Sequence, residues 1–356
     1  MANTTVNSSL KVKQWDDAFF TEYVRKNQFA AMMGTDENSI IQIKEQLTKM
    51  AGDRIVIPLV KKLSGAGVLG ENTLEGNEEA LVQYGYEIAI SQLRNAVSIR
   101  SFQERLTEIS IRDAAKTMLK IWAMETLRDD IIKRLASPNL DGVTTYANTS
   151  NAADRNAWLA ANADRVFFGA LNSNNASNVH ATSLQNVDSA DDKLTTALLS
   201  KVKRAAKTMN PKIRPVSVDS MGEFFVALAP SPAFRDLKNS TTMQQAMRDA
   251  LVRGKDNPLF TDGDLVWDGV IVKEVPEIPV IGGAGASGID VAPVYFMGAQ
   301  ALGLVWGQRT KTVTKLFDYD DVYGVAISEV RGVAKTMFNN KQHGMATVYV
   351  SGIADT

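Results

Sequence analysis

The chain of 356 residues has no cysteine. That absence excludes disulfides, thiolate metal sites and cysteine nucleophiles together. A large protein without disulfide staples is expected to fold in a reducing cytoplasm. Histidine is scarce, with only His180 and His343 present. One stands in an asparagine-rich stretch and the other beside Gly344, so both are expected to be surface loop residues. Neither suggests a positioned general base or a metal set. No segment approaches the roughly 20 consecutive apolar residues needed to cross a bilayer. The opening Met1-Ala2-Asn3-Thr4-Thr5 lacks the basic start and apolar run of a secretion signal. The chain is therefore expected to be soluble and intracellular when made, with no membrane partner. Net charge is also nearly absent, at -1, which argues against a general nucleic-acid binder. A hydrophobic content of 45% and a charged content of 22% are ordinary for a folded protein. The length exceeds one comfortable hydrophobic core, so two lobes are expected.

The most informative stretch runs from Gly52 to Ser137. Its strongest periodic signal predicts one helix over residues 103–136, about 50 Å long at the usual rise. Its apolar residues fall into two stripes. Ile111, Ala114, Ala115, Met118, Ile121 and Trp122 form the first; Leu106, Ile109, Met124, Leu127, Ile131 and Leu135 form the second. Two stripes predict a helix covered on both sides, with Ile111, Met118, Trp122, Leu127 and Ile131 at its core. Pro138 ends it, because the residue before proline avoids helical geometry.

Ahead of that helix, residues 81–93 alternate, with Val82, Tyr84, Tyr86, Ile88 and Ile90 on one face of a strand. Ile55-Val56-Ile57 is a natural partner strand that Pro58 marks as an edge or an end. Between the two lies a long connection with four glycines (Gly65, Gly67, Gly70, Gly76) and the acids Glu71, Glu75, Glu78 and Glu79. A connection of this length is either disordered or functional. Val68, Leu69 and Leu74 are too sparse to form a core of their own, so burial by a neighbouring copy is expected.

In the order of these elements the chain resembles a tailed-phage major capsid protein of HK97-type fold. The residues that carry the resemblance are Gly52-Asp53-Arg54-Ile55-Val56-Ile57-Pro58-Leu59 and Leu74-Glu75-Gly76-Asn77-Glu78-Glu79-Ala80-Leu81, followed by the strand and the long helix. The resemblance implies an α+β, HK97-like capsid fold. In it, the hairpin is an extended loop reaching over the adjacent subunit and the helix is the spine of a peripheral domain.

The implied division gives residues 1–35 to an N-terminal arm and residues 36–60 and 96–140 to the peripheral domain. Residues 61–95 form the extended loop. Residues 141–317 form an inserted axial domain, and 318–356 return to pack beside the spine. Near-neutrality suits a shell around DNA, since a strongly cationic wall would trap the polymer.

Local signals fill in the rest. Residues 14–33 read as an amphipathic helix with Trp15, Phe19, Tyr23 and Phe29, closed by Gly34. That helix either docks on a neighbour or packs on its own subunit. Residues 141–192 are rich in Asn and Ser and are expected to be exposed loop with little core. A helix is expected over 192–209, a strand at Phe224-Phe225-Val226-Ala227-Leu228, a helix over 241–252, and a hairpin turning at Thr261-Asp262-Gly263-Asp264.

Candidates for chemistry are weak. Gly283-Ala284-Gly285-Ala286-Ser287-Gly288 satisfies a dinucleotide-binding spelling. Pro276 and Pro279 interrupt the strand before it, no useful helix start follows, and a flexible loop is expected instead. The acids of the long connection lack the spacing of a calcium loop and are expected to face basic residues of another copy. Lys61 and Lys62 join Val68, Leu69, Glu71, Leu74, Glu75, Glu78 and Glu79 as expected inter-subunit contacts. Lys201, Lys203, Arg204, Lys207, Lys212 and Arg214 form the densest basic patch. It is open to two readings, a contact with DNA or a neighbour and a solvated helix face.

No catalytic, cofactor or metal residues are expected. By the resemblance the protein is a major capsid protein that self-assembles, as pentamers and hexamers, into the icosahedral head shell around a tailed-phage genome. It would be made in the host bacterial cytoplasm and reside in the virion. Portal, scaffolding or decoration proteins and packaged DNA are the expected partners. The alternatives are an encapsulin-type nanocompartment shell and a nucleotide-dependent enzyme.

Overall fold

The computed structural model describes residues 28–45, 52–60, 63, 65, 67–106, 110–138, 150–218, 222–249 and 264–355. Strands β1 (Met33–Gly34), β2 (Ile41–Lys44), β3 (Arg54–Val60), β4 (Gln83–Ala89) and β5 (Ser91–Arg100) precede helices α1 (Ser101–Arg105) and α2 (Ile111–Ala136). Next come α3 (Ala152–Ala161), β6 (Val166–Phe168), α4 (His180–Gln185) and α5 (Thr196–Thr208). Strands β7 (Val216–Val218) and β8 (Gly222–Ala229) lead to α6 (Ser231–Asn239) and α7 (Thr241–Asp249). The chain continues through β9 (Leu265–Trp267), β10 (Val270–Glu274), β11 (Val291–Met297), β12 (Leu302–Phe317) and β13 (Val322–Lys335). It closes with β14 (Met337–Phe338), β15 (Lys341–Gln342) and β16 (Met345–Ser351).

Two sheets organise these elements. The smaller has the order β1-β2-β12-β13-β5, and the larger β6-β16-β11-β8-β10-β9 with β7 beside β8. Strand β8 is apolar without alternation because both of its faces are buried. Phe225, Ala227 and Ala229 pack under α5, α6 and α7. Val226 and Leu228 face the other way, toward the end of α2 and the smaller sheet. The two lobes therefore share a core. Their division departs from the expected one in two strands. β12, inside the range expected to be axial, belongs to the smaller sheet. β16, expected beside the long helix, lies between β6 and β11 in the larger sheet, buried along its whole length.

The long helix is shorter and less covered than its periodicity implies. It begins at Ile111 rather than 103, because Ser110 stands at its N-cap and donates to the Asp113 carboxylate at 2.8 Å. That Ser-x-x-acid start resembles a capping box. Its 26 residues span about 39 Å. Ala115, Leu119 and Ala123 pack on Val325 and Ile327 of β13, while Ile131, Ile132 and Leu135 enter the shared core. Of the five residues expected at its core, Ile131 is fully buried. Trp122 and Leu127 are half-buried against these clusters, Ile111 is half-buried, and Met118 is 38% exposed. Leu106 is exposed, and Ile109 lies outside the described residues. It is the sheet that is covered on both sides. Odd-numbered β13 residues face α2, and even-numbered ones near its end face the base of the long hairpin.

Three further expectations are corrected. Residues 14–27 lie outside the described residues, Gln28–Met32 forms a 3-10 turn, and Gly34 is in a strand rather than capping a helix. Residues 261–263 of the expected turn lie outside the described residues, and the β9–β10 hairpin turns instead at Asp268-Gly269, both with positive φ, 47° and 70°. These are the angles a two-residue turn needs to match strand twist, and Asp-Gly supplies them. Residues 150–192 are an ordered unit. Trp158, Leu159, Val166, Phe168, Leu184 and Val187 share a core with Tyr349. The asparagines stitch this unit together. Asn151 caps α3 by accepting the Asp154 N–H at 2.8 Å, and Asn174 donates to the Phe168 carbonyl at 2.9 Å and to Asp192 at 3.1 Å. Residues 139–149 lie outside the described residues.

If α2 buries one main face, Leu119→Ala should cost about 3 kcal/mol and Trp122→Ala less, about 2 kcal/mol. Denaturant unfolding of unassembled protomers measures both. A larger loss for Trp122→Ala would restore the two-sided picture.

Candidate functional site

The long hairpin pairs β3 with β4 from Arg54↔Ala89 to Val60↔Gln83. Its base is fixed by Ile55 and Ile88, which pack on Val305 and Ala334. Glycines in the supporting sheet make the contact close enough. A Cβ at Gly332 would collide with the Ala89 carbonyl, and one at Gly303 would come within 2.5 Å of Ile88. Only Ile90 separates β4 from β5, and its N–H donates to the Asp53 carbonyl at 3.0 Å. Residues 83–100 thus run almost as one strand, pairing with β3 on one edge and then with β13 on the other.

Outward from this base, burial fades. Val56, Val60, Leu63, Leu69, Leu74, Leu81 and Val82 are all exposed large hydrophobics, and Leu69 reaches 79%. Val68 is half-buried, whereas Glu71, Glu75, Glu78 and Glu79 are exposed. Lys61 and Lys62 lie outside the described residues. The connection is stitched by its own polar groups. The Gly65 N–H donates to Glu79 at 2.6 Å, the Gly76 N–H to Glu78 at 2.8 Å, and the Asn77 N–H to the Leu74 carbonyl at 3.0 Å. An apolar, acidic element of this kind supplies contact surface rather than chemistry. A half-open cavity of about 620 Å³ separates its flank, at Leu59, Val60 and Tyr84, from Met209, Pro211 and Phe338.

The basic patch is partly spent inside the chain. Lys201 donates to the Ala170 carbonyl, Lys203 pairs with Asp268 at 2.7 Å, and Arg214 pairs with Glu37 at 3.3 Å. Arg204, Lys207 and Lys212 remain exposed. The glycine-rich segment 283–288 is pinned rather than flexible. The Gly283 N–H donates to the Asp290 carboxylate at 2.9 Å and the Ala286 N–H to the Val187 carbonyl at 2.9 Å. A strand, β11, follows it where a dinucleotide site would need a helix. Among the described residues no group of three or more Asp, Glu or His side chains converges on a metal-sized site.

His180 is in α4 rather than a surface loop, whereas His343 sits in the bend between β15 and β16 but is half-buried. His180 is 1% exposed, ringed by Trp158, Phe168 and Tyr349, with its Nε2 3.1 Å from the Tyr349 hydroxyl. Burial, helped by nearby Arg155, lowers its pKa to about 4. His343 packs edge-on against Phe338, and burial also lowers its pKa. The partner Tyr349 lies 169 residues from His180, too far for any local pattern to reveal.

Residues 3–353 match the family described as Phage capsid protein, and the chain belongs to that family. Among individual relatives, it is 31% identical over 361 residues to the protein named Major capsid protein of Pseudomonas phage KPP25, covering 93% of each. The Cyanophage Pam1 capsid subunit superposes with a TM-score of 0.91 at 38% identity over all of both chains. The Ralstonia phage GP4 capsid does so at 0.77 and 21% identity, again over all of both chains, which speaks to the fold alone. The chain is a structural protein of the phage head shell with the HK97-type fold. It assembles with itself and resides in the virion capsid. The nanocompartment and nucleotide-enzyme alternatives are not favoured.

The buried histidine makes stability pH-dependent. Its folded pKa lies below the unfolded value of about 6.5, so as pH falls the unfolded chain takes up the proton first. This contribution is full above about pH 6.5 and is lost progressively toward pH 4. Urea unfolding of protomers at pH 7 and pH 4.5 should differ by about 2 kcal/mol more in the wild type than in His180→Phe.

Proposed function

We propose that the hairpin and the two lobes are the interfaces through which this shell protein closes an icosahedral head around a tailed-phage genome. The observation that carries this is the run of seven exposed large hydrophobics from Val56 to Val82 on one projecting element. Such surface is not left bare on a soluble monomer and marks a docking region. In this reading the smaller-sheet lobe, with α2 as its spine, is the peripheral domain. The larger-sheet lobe is the axial domain that meets its copies around five- and six-fold centres. Residues 1–35 act as an arm. The hairpin, with Val68, Leu69, Glu71, Leu74, Glu75, Glu78 and Glu79, overlaps the adjacent subunit, and Lys61 and Lys62 share that contact.

Each interface is of ordinary size, near ~1,600 Å², and closure multiplies modest contacts into a stable shell. Assembly takes place in the host bacterial cytoplasm. A portal and scaffolding or decoration proteins are the further partners, and packaged DNA is met without sequence preference. Catalysis and cofactors have no part in this role.

Deleting residues 67–76 should leave a protomer with near-wild-type unfolding but no closed particles, because the segment carries no core residue. Negative-stain microscopy and sedimentation read the outcome. Wild-type particle yields from the deletion would refute the assignment. Purified wild-type particles should give one band near 38.8 kDa on denaturing gels, and a covalent ladder would count against non-covalent assembly.

A further inference from the structure

The half-open cavity beside the hairpin has an apolar wall on each side. On the hairpin side, Leu59 and Tyr84 are directly opposite each other in the ladder, so both side chains stand on one face. On the body side stand Met209, Pro211 and Phe338, the first and last of them buried, and β14 packs against β4.

The body wall is held in place from behind. The fully buried Arg165 guanidinium donates to the His343 carbonyl at 3.2 Å and to the Pro211 carbonyl. Lys341 pairs with Asp164 at 3.1 Å and donates to the Asn210 carbonyl at 3.2 Å. Segments 210–212 and 341–343, distant in sequence, are thereby tied into one surface. The volume of about 620 Å³ between it and the hairpin is ordinary for a small-molecule site.

Charge at this wall is one-sided. Lys212 and Lys341 line the cavity and Arg165 lies behind it. Asp164 is the acid that answers them, 3.1 Å from Lys341 and 3.9 Å from Arg165. Lys212 is exposed and meets no acid among the described residues. No acid among the described residues lines the cavity. The Nδ1 of His343, which also lines it, is buried without a hydrogen-bond partner among the described residues. In a neutral imidazole either nitrogen can carry the proton, so this atom can donate to a ligand. An apolar slot with a positive, donor-bearing end fits a molecule that is apolar at one end and anionic at the other.

We propose that the cavity binds a small organic anion with an apolar body, an alkyl or aryl carboxylate or sulfonate. Its head would lie at Lys212, Lys341 and the His343 Nδ1, and its body between Tyr84 and Phe338. Such a ligand touches the hairpin and the body of one protomer at once and braces the angle between them. Binding needs no second copy, so it stands apart from the part the hairpin plays between subunits.

The probe is anilinonaphthalene sulfonate, an aryl sulfonate that fluoresces in apolar surroundings. Titrated into the full-length, unassembled chain, it should fill one saturable site per protomer with a Kd on the order of tens of micromolar, ordinary for a ligand of its size. Decanoate should displace it. Decanol and inorganic phosphate at equal concentration should not, since each lacks one half of the required chemistry. Lys212→Glu should weaken binding at least about tenfold. Lys207→Glu makes the same charge change at an exposed lysine outside the cavity and should leave the affinity within about twofold. Val60→Ser trims the exposed hairpin wall without altering charge and should weaken binding severalfold. Deleting residues 67–76 should leave the affinity unchanged, which separates the cavity from the exposed apolar tip. Several equivalent sites, equal displacement by decanol, equal losses from the two lysine variants, or loss of binding with residues 67–76 would each overturn the proposal.

Discussion

The packing of α2 across β13 is the contact on which the rest depends. Ala115, Leu119 and Ala123 lie on Val325 and Ile327, and the small alanines bring the helix close to the sheet. Two turns further along, Asp130 of the helix meets Arg331 at 2.8 Å, and Arg331 meets Glu329 at 2.7 Å. Both β13 side chains are only 3% exposed. Charges so deeply placed persist because opposite charges are paired there, and Thr310 donates to Glu329 at 3.1 Å from the neighbouring strand. Apolar contact alone would let the helix slide on the sheet. The ionic chain fixes its position. Because the same strand carries the hairpin base on its opposite face, that position also sets where the hairpin leaves the body.

The two lobes are less separate than their two sheets suggest. Val226 and Leu228 of the larger sheet, Leu302 and Leu304 of the smaller, and Ile131, Ile132 and Leu135 of α2 form one apolar cluster. Lys335, at the end of β13, reaches the Ser137 carbonyl at the exit of α2 and lies over the Trp158 ring. Relative motion of the lobes would have to open this cluster, so the body behaves as one piece and adaptability resides in the projecting elements.

What local patterns could reveal, they revealed well. The alternation of Tyr84, Tyr86 and Ile88, and the glycine- and glutamate-rich connection, made the hairpin readable, because strands and loops of that kind declare themselves within a few residues. Long-range packing was not readable. His180 and the asparagines of 150–192 have the composition of solvated loop, yet Tyr349, brought in by β16, turns that segment into a cored unit. An asparagine that solvates and one that caps a helix look alike in a single sequence. The start of α2 was missed for another reason. The Ser110-x-x-Asp113 signal was present, but apolar spacing ran on through it and the longer period prevailed. Among the candidate contact residues, composition identified the projecting element.

The near-continuity of β4 and β5 has a mechanical consequence. Eighteen residues act as a lever pivoting at Ile90, one arm in the projecting finger and the other hydrogen-bonded to the body along its full length. A tilt imposed at the tip is passed as torsion straight into the strand beside α2, with no slack loop to absorb it. Where a second copy grips the finger as proposed, a protomer built this way would register the angle of that grip in its own frame.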